Sequence, residues 1–160
     1  MLFMINFKWL KFSDLTVEQL YAVLSVRSDI FVVEQNCVFL DPDGKDSFAL
    51  HLLGQEENSL LAYLRLFPPG NFENNLVFGR VLVARSSRAK GYGKKLMKEL
   101  LSYCDKHYPD VAIKCSAQYQ LKKFYEDFGF KVVSDVYDED GIPHIFMQKD
   151  LSGENIKCIK

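Results

Sequence analysis

The chain has 160 residues, of which 48% are apolar and 26% are charged, the length and composition of one globular domain with a single core. Its 20 Lys and Arg residues nearly balance 21 Asp and Glu residues, so the net charge of −1 gives no electrostatic reason to expect a nucleic acid or a membrane as partner. No apolar run reaches the roughly 18 residues that a membrane helix requires, and the apolar start, Met1 to Trp9, lacks a signal-peptide cleavage site, so we expect a cytoplasmic protein.

The first predicted elements are a strand and a capped helix. Phe7 and Trp9 indicate the strand. Thr16 is a candidate N-cap and Gln19 completes a capping-box pattern, which predicts a helix from there to about Arg27. Residues 30–33 are compatible with either a second short helix or an extended segment.

The rest of the chain predicts further strands and then strand–helix units. Strands are predicted at residues 48–53, 60–66, 76–84, 111–117, 131–137 and 144–148, the first two as a hairpin. Amphipathic helices are predicted between Leu96 and Cys104 and between Leu121 and Phe128. This order is typical of a mixed sheet with helices on its faces.

The four cysteines do not form a metal-binding or redox pattern. Cys37, Cys104, Cys115 and Cys158 contain no C-x-x-C pair and have no histidine at zinc-finger spacing. Without an export signal, we expect reduced thiols. We therefore predict no metal site.

The most informative segment is the basic, glycine-containing loop Arg88-Ala89-Lys90-Gly91-Tyr92-Gly93-Lys94, between a predicted strand and a predicted helix. A helix N-terminus offers unpaired N–H donors and the positive end of a dipole, and glycines let a ligand approach the backbone. The pattern therefore indicates an anion cradle, although a turn with solvated charges before a helix is an equal alternative. The glycine spacing matches neither a P-loop nor a dinucleotide fingerprint.

Two motifs resemble those of the GNAT acetyltransferase superfamily. Val81-Leu82-Val83 followed by Arg88-x-x-Gly91-x-Gly93 is similar to its acetyl-CoA motif, and Phe124-Tyr125-Glu126-x-x-Gly129-Phe130 is similar to its next motif. The runs 31–35, 117–118 and 137–147 resemble the ElaA-like subgroup.

The resemblance covers residues 7 to 151 and implies a fold. The expected fold is an α+β or mixed α/β domain at residues 1–151. Its central sheet is mixed but mostly antiparallel, with six to seven strands flanked by about four helices. Residues 152–160 are expected to form a polar tail.

The resemblance also implies acetyl-CoA as co-substrate. The pantetheine arm is then expected along Val81, Leu82 and Val83, and the pyrophosphate on the backbone amides of Arg88, Ala89, Lys90, Gly91, Tyr92, Gly93 and Lys94. Gln118 stands near the place where many members carry an Asn that contacts the arm, so it is included as a cofactor-binding candidate.

The resemblance makes Tyr125 a general acid that protonates the departing thiolate, whereas its apolar spacing alone favours a core tyrosine. A base must take a proton from the acceptor amine, and Glu34, His51 and His144 are the candidates. Because Glu34 follows four apolar residues, we expect it to be partly buried with a raised pKa.

The implied function is an N-acetyltransferase that moves an acetyl group to a primary amine by direct attack in a ternary complex. The acceptor is predicted to be a small cationic amine or a peptide amine, because two acidic runs, Asp41/Asp43/Asp46 and Asp135/Asp138/Glu139/Asp140, would flank it. Solvated turns are an equal interpretation of these runs. The alternative function is a non-catalytic acyl-CoA-binding or regulatory module. No nucleic acid or membrane partner is expected, and a homodimer is compatible with the sequence.

Overall fold

The structure is a computed structural model that describes residues 4–151 of the chain. Its eight strands are β1 (Asn6–Lys11), β2 (Leu50–Glu56), β3 (Ser59–Phe67), β4 (Leu76–Val83), β5 (Ile113–Gln118), β6 (Lys131–Val132), β7 (Tyr137–Glu139) and β8 (Ile142–Lys149). Its α-helices are α1 (Val17–Arg27), α2 (Tyr92–His107) and α3 (Lys122–Glu126), and a π-helical segment spans Ser28–Glu34. The predicted tail at 152–160 lies outside the described residues.

Helix α1 begins as the sequence predicts. The Gln19 N–H donates to Thr16 Oγ1 at 3.1 Å, and the Thr16 N–H donates to Gln19 Oε1 at 2.9 Å. These bonds satisfy donors that the first helical turn cannot pair internally. The chain then continues in wider turns, and the Cys37 N–H donates to the Val32 carbonyl, five residues back, at 3.0 Å. Of the two interpretations of residues 30–33, the helical one is therefore correct.

The sheet has the order β1-β2-β3-β4-β5-β8-β6, and β7 also pairs with β8. Every pairing is antiparallel except that of β4 with β5. Those two strands pair only at Leu76 with Ile113 and at Val77 with Lys114, whereas β5 pairs with β8 along its whole length. Beyond Val77, β4 therefore separates from β5 and leaves a gap inside the sheet.

Helices cover both faces of the sheet. On one face, Val23 of α1 and Ile30 of the π-helical segment pack against Tyr63 and Leu82. On the other face, Leu96 of α2 belongs to a larger core that also contains residues of α3. Within residues 4–151, no helix has the length and apolar character needed to cross a membrane.

A bulge interrupts the β3–β4 ladder beside the gap. Tyr63 pairs with Leu82 and Arg65 pairs with Gly79, so β4 has one more residue than β3 between these pairs. Arg80 lies in this interval with a φ of 53°, in the left-handed region that costs energy for a residue with a side chain. The extra residue bends β4 where it leaves β5.

The predicted fold class is confirmed, with two differences in count. The sheet has eight strands rather than six to seven, and residues 4–151 contain three α-helices where about four were predicted. The predicted strand at 131–137 is two short strands, β6 and β7. Between them the Ser134 hydroxyl, rather than a backbone carbonyl, accepts the Phe146 N–H at 2.8 Å, which interrupts the ladder.

Candidate active site

The gap between β4 and β5 opens into a cavity of about 860 Å³. Its walls come from β4, β5, α3, the π-helical segment and the β7–β8 hairpin. The predicted site residues that line it are Glu34, Val81, Leu82, Val83, Arg88, Ala89, Gly93, Gln118, Tyr125 and His144. One cavity thus contains most of the residues that the sequence singled out.

A second cavity of about 220 Å³ adjoins the first at the N-terminus of α2. Its walls include Ser87, Arg88, Ala89, Gly91, Tyr92, Gly93 and Lys94, so of the predicted loop only Lys90 is outside both cavities. Gly91 is the N-cap of α2 with a φ of 77°, which a residue with a side chain adopts only at a cost. The first N–H groups of a 16-residue helix therefore lie at this cavity, where the helix dipole favours an anion.

Strand register gives the large cavity one polar and one apolar face. Gln118 pairs directly with His144 and Ser116 with Phe146, so these side chains share a face of the sheet. Cys115 and Ala117 alternate with them and are buried in the core beneath α2. The polar face is therefore on the side of the sheet opposite to α2.

Tyr125 lies on the apolar face. Its ring packs against Phe78, Phe124 and Phe130 at centroid distances of 5.2 to 6.0 Å, and the residue is 5% exposed. Burial, and to a smaller extent the nearby Cys115, raises the pKa of the Tyr125 hydroxyl. The hydroxyl therefore stays protonated at neutral pH.

His144 lies on the polar face within a cluster of polar side chains. Its Nδ1 is 2.7 Å from the Ile142 carbonyl and its Nε2 is 3.6 Å from Glu139 Oε2. The ring stacks against that of Tyr137 at a centroid distance of 6.1 Å. The Ser116 hydroxyl donates to Glu139 Oε2 at 2.9 Å and also bonds to the Tyr137 hydroxyl.

Glu34 is bound by two arginines from the loop that precedes α2. Arg88 donates to both of its carboxylate oxygens, at 2.7 and 3.1 Å, and Arg85 Nε lies 3.1 Å from Oε2. The hydrogen bond from Arg88 and the charges of both arginines lower the pKa of Glu34. The predicted raised pKa is therefore wrong, because the apolar run before Glu34 does not bury its carboxylate away from cations.

His51 is a structural histidine outside the cavity. It is fully buried, with Nδ1 2.7 Å from the Tyr63 hydroxyl and Nε2 2.9 Å from the Asp46 carbonyl. Burial lowers the pKa of the imidazole, and both ring nitrogens are occupied. His51 is thereby removed from the candidate bases.

The first acidic run is neutralised by arginines. Asp41 pairs with Arg27 and Arg80, and Asp46 pairs with Arg27 and Arg65. Asp43 likewise pairs with Arg65 at 2.5 Å. The expectation that Asp41, Asp43 and Asp46 attract a cation is therefore wrong, because three arginine charges balance these three acids.

The second acidic run keeps free charge at the cavity. Glu139 and Asp140 line it, and within residues 4–151 neither forms an ion pair with Arg or Lys. Asp138 instead closes the β7–β8 turn, where it accepts the Gly141 N–H at 3.1 Å.

The contacts of His144 were missed from the sequence. Period-two alternation along β5 and β8 could have placed Ser116 and His144 on one face. The approach of Tyr137 and Glu139 depends on how the short strand β7 pairs with β8, which local patterns do not specify.

The comparisons with known proteins agree with this geometry. A model of the acetyltransferase (GNAT) domain matches residues 46–151. The chain belongs to the GNAT acetyltransferase family. It is 42% identical over 150 residues to the protein ElaA of Escherichia coli K12, covering 92% of this chain and 98% of the relative.

Solved structures support the same placement. The crystal structure of Escherichia coli ElaA is similar, with a TM-score of 0.86 and 42% identity. The match covers 92% of this chain and 100% of the ElaA chain. An acyl-CoA N-acyltransferase from Pseudomonas aeruginosa is similar with a TM-score of 0.88 and 38% identity, covering 91% and 99%. The chain is therefore ElaA-like, as the sequence motifs predict.

Proposed function

We propose that this protein is an N-acetyltransferase that moves an acetyl group from acetyl-CoA to a primary amine by direct attack in a ternary complex. The observation that carries the proposal is the gap between β4 and β5. The unpaired edge of β4 runs from this gap to the N-terminus of α2. Tyr125, which can donate a proton, and His144, which can accept one, line the cavity on opposite faces of the sheet.

The unpaired edge and the adjoining loop suit the two chemically different parts of CoA. Val81, Leu82 and Val83 would bind the amide-rich pantetheine arm through backbone groups that β5 does not pair. The amides from Arg88 to Lys94 would bind the pyrophosphate at the start of α2. Gln118 lies across the gap on β5, where its side chain can reach the arm.

The cysteines of the cavity favour direct attack over an acyl-enzyme. Burial raises the pKa of Cys115 to about 12, so it is not a thiolate at neutral pH. The Cys37 thiol is directed to the Asp140 carbonyl, 3.4 Å away. The acceptor amine is then the nucleophile that forms the new C–N bond.

Tyr125 would act as the general acid. As the C–S bond breaks, the sulfur gains negative charge, and a protonated phenol at the apolar face of the gap can neutralise it. A buried hydroxyl with a raised pKa keeps its proton until the thiolate forms.

The acceptor would be a small cationic amine or a peptide amine. Glu139 and Asp140 place negative charge at the polar face of the cavity, where an ammonium group is attracted. The proton that the ammonium must lose would go to Glu34 or His144, which both line the cavity.

The test is the release of free CoA thiol from acetyl-CoA in the presence of a panel of primary amines. We expect acceptor-dependent release, together with saturable acetyl-CoA binding by calorimetry. Binding without release for every amine would favour a non-catalytic acyl-CoA-binding module. Absence of binding would contradict the proposal.

A further inference from the structure

We infer that His144 is the general base of the acetyl transfer and that Glu139 is its positioning residue. The inference rests on the proposed function, because it assigns the group that takes the proton from the acceptor. It starts from the polar cluster formed by β5, β7 and β8 on the polar face of the cavity.

The hydrogen bond to Ile142 fixes the tautomer of His144. A carbonyl only accepts, so the 2.7 Å contact places the ring hydrogen on Nδ1. The neutral ring then carries its lone pair on Nε2, as a base requires. The side chain is 13% exposed and stacked on Tyr137, so the ring is held in place while it still lines the cavity.

Glu139 faces the second ring nitrogen of His144. The distance from Glu139 Oε2 to His144 Nε2 is 3.6 Å, which is too long for a hydrogen bond. Both atoms are acceptors when the ring is neutral, so no hydrogen bond is expected between them in that form. Once Nε2 gains a proton it becomes a donor facing a carboxylate. The Ser116 hydroxyl holds that carboxylate in position with its 2.9 Å bond.

Among the groups that face His144, Glu139 is the charged one that contacts its ring. From β7 they are Tyr137 and Glu139, and from β5 the directly paired residue is the neutral Gln118. Pro143 and Ile145, its neighbours on β8, do not titrate. Within the described part of the chain, no Arg or Lys forms an ion pair with Glu139 that would cancel its effect on His144.

Glu34 is unsuited to the same task. Its two oxygens accept three arginine contacts, and these arginines stabilise the ionised carboxylate. A carboxylate held in that way is a weak base.

The proton balance of the step is complete with these groups. His144 Nε2 takes one proton from the ammonium, directly or through water, and the freed amine attacks the thioester carbonyl carbon. The C–N bond forms, the C–S bond breaks, and the leaving sulfur takes the Tyr125 proton. The second amine proton restores Tyr125, and His144 releases its proton to solvent, which yields amide, CoA thiol and one proton.

The experiment is the pH dependence of kcat/KM for an acceptor amine, measured on the full chain. The wild type should show a limb of kcat/KM that rises with pH as the general base loses its proton. His144→Gln, with His144→Asn as a second variant, should lower kcat/KM at neutral pH by about 10²- to 10⁴-fold and abolish that limb. Acetyl-CoA affinity, measured by calorimetry, should stay unchanged.

Glu139→Gln should lower kcat with little change in acetyl-CoA affinity, because Nε2 of His144 loses the carboxylate that faces it. His107→Gln on the exposed side of α2 is the matched control and should keep wild-type kinetics.

Two results would overturn the assignment. One is an unchanged limb in both His144 variants of an active enzyme, and the other is a limb that disappears in Glu34→Gln instead. A wild type that binds acetyl-CoA but acetylates no amine would refute the proposed function itself, and this inference with it. The two failures are therefore distinguished by the wild-type assay.

Discussion

Arg80 and Asp41 are joined by two hydrogen bonds that anchor the bulge of β4. Arg80 Nε donates to Asp41 Oδ1 at 2.8 Å, and Arg80 Nη2 donates to the Asp41 carbonyl at 3.2 Å. Arg27 uses the other carboxylate oxygen and the same carbonyl, at 2.9 and 3.3 Å. One aspartate therefore ties the end of α1 to the strand that borders the gap.

Asp41→Asn should destabilise the protein strongly. The Asp41 side chain is 1% exposed and Arg27 is completely buried, so the substitution leaves three arginines facing two acids in a buried cluster. Removing one partner of a buried ion pair typically costs about 3–5 kcal/mol. Chemical denaturation checks this, with Asp29→Asn, which breaks an exposed pair with Arg85, as a control that should cost less than about 1 kcal/mol.

Acid should unfold the protein partly through Asp43. Burial alone would raise its pKa, but the hydrogen bonds and charge of Arg65 hold the pKa of Asp43 well below its usual range. A lowered folded-state pKa gives stability that is complete above the unfolded value, near 4, and is lost as the pH falls below it. Asp43→Asn should reduce stability at pH 7 and flatten its decline in acid. Equal slopes for wild type and variant would contradict this, and Asp105→Asn on the exposed side of α2 is the control.

Gly93→Ala should weaken acetyl-CoA binding while the fold is retained. An added Cβ would lie 3.8 Å from Phe124, an ordinary contact, yet it would occupy the loop cavity. Gly91→Val adds backbone strain, since its φ is 77°. We expect at least about tenfold weaker binding for both. Gly70→Val, with a φ of 98° in open space outside the cavities, is strained but should bind normally. Wild-type affinity in folded Gly93→Ala would argue against the phosphate cradle.

Tyr125→Phe should lower turnover by about 10²- to 10⁴-fold with little change in stability or acetyl-CoA affinity. The variant keeps the ring that packs against Phe78 and Phe130 and removes only the proposed proton donor. The measurement is steady-state kinetics. The control is Tyr103→Phe, which loses a tyrosine hydroxyl on α2 outside the cavity. If the turnover of Tyr125→Phe stayed within about threefold of wild type, Tyr125 would be a packing residue and not the general acid.

Replacement of Asp138, Glu139 and Asp140 by the corresponding amides should lower kcat/KM for a cationic amine. The difference from wild type should shrink as salt is added, because exposed charges are screened over about 10 Å at 0.1 M. Glu99→Gln with Asp105→Asn, on the exposed side of α2, controls for net charge. Equal loss at all salt concentrations would indicate that these residues act through their contacts, including that of Glu139 with His144, rather than through long-range attraction.

Local patterns in the sequence predicted most of the fold. The capping box of α1, the β2–β3 hairpin and the loop before α2 depend on neighbouring residues, and all three are present. The motif resemblance added the order of the remaining elements. Tyr125 and His144 were brought to one cavity by the fold, although their roles stay predictions.

What the sequence did not predict depends on distant partners. Arg27, Arg65 and Arg80 come from three separate elements, and nothing in the sequence near Asp41, Asp43 and Asp46 signals that these arginines converge on the three acids. The prediction of a raised pKa for Glu34 was wrong for the same reason, because its partner Arg88 lies 54 positions further along the chain. A left-handed residue other than glycine, as at Arg80, likewise has no local signature.

The short seam between β4 and β5 divides the sheet into two plates, one on each side of the seam. One plate carries the edge at Val81–Val83, and the other carries β5 and β8, with His144. Leu76 and Val77 are the β4 residues that pair across the seam, so the angle there sets the width of the gap. A substitution at the fully buried Leu76 is therefore expected to alter the proposed acetyl transfer although Leu76 lies outside the cavity. Amide exchange along the free part of β4 would report how far the plates open.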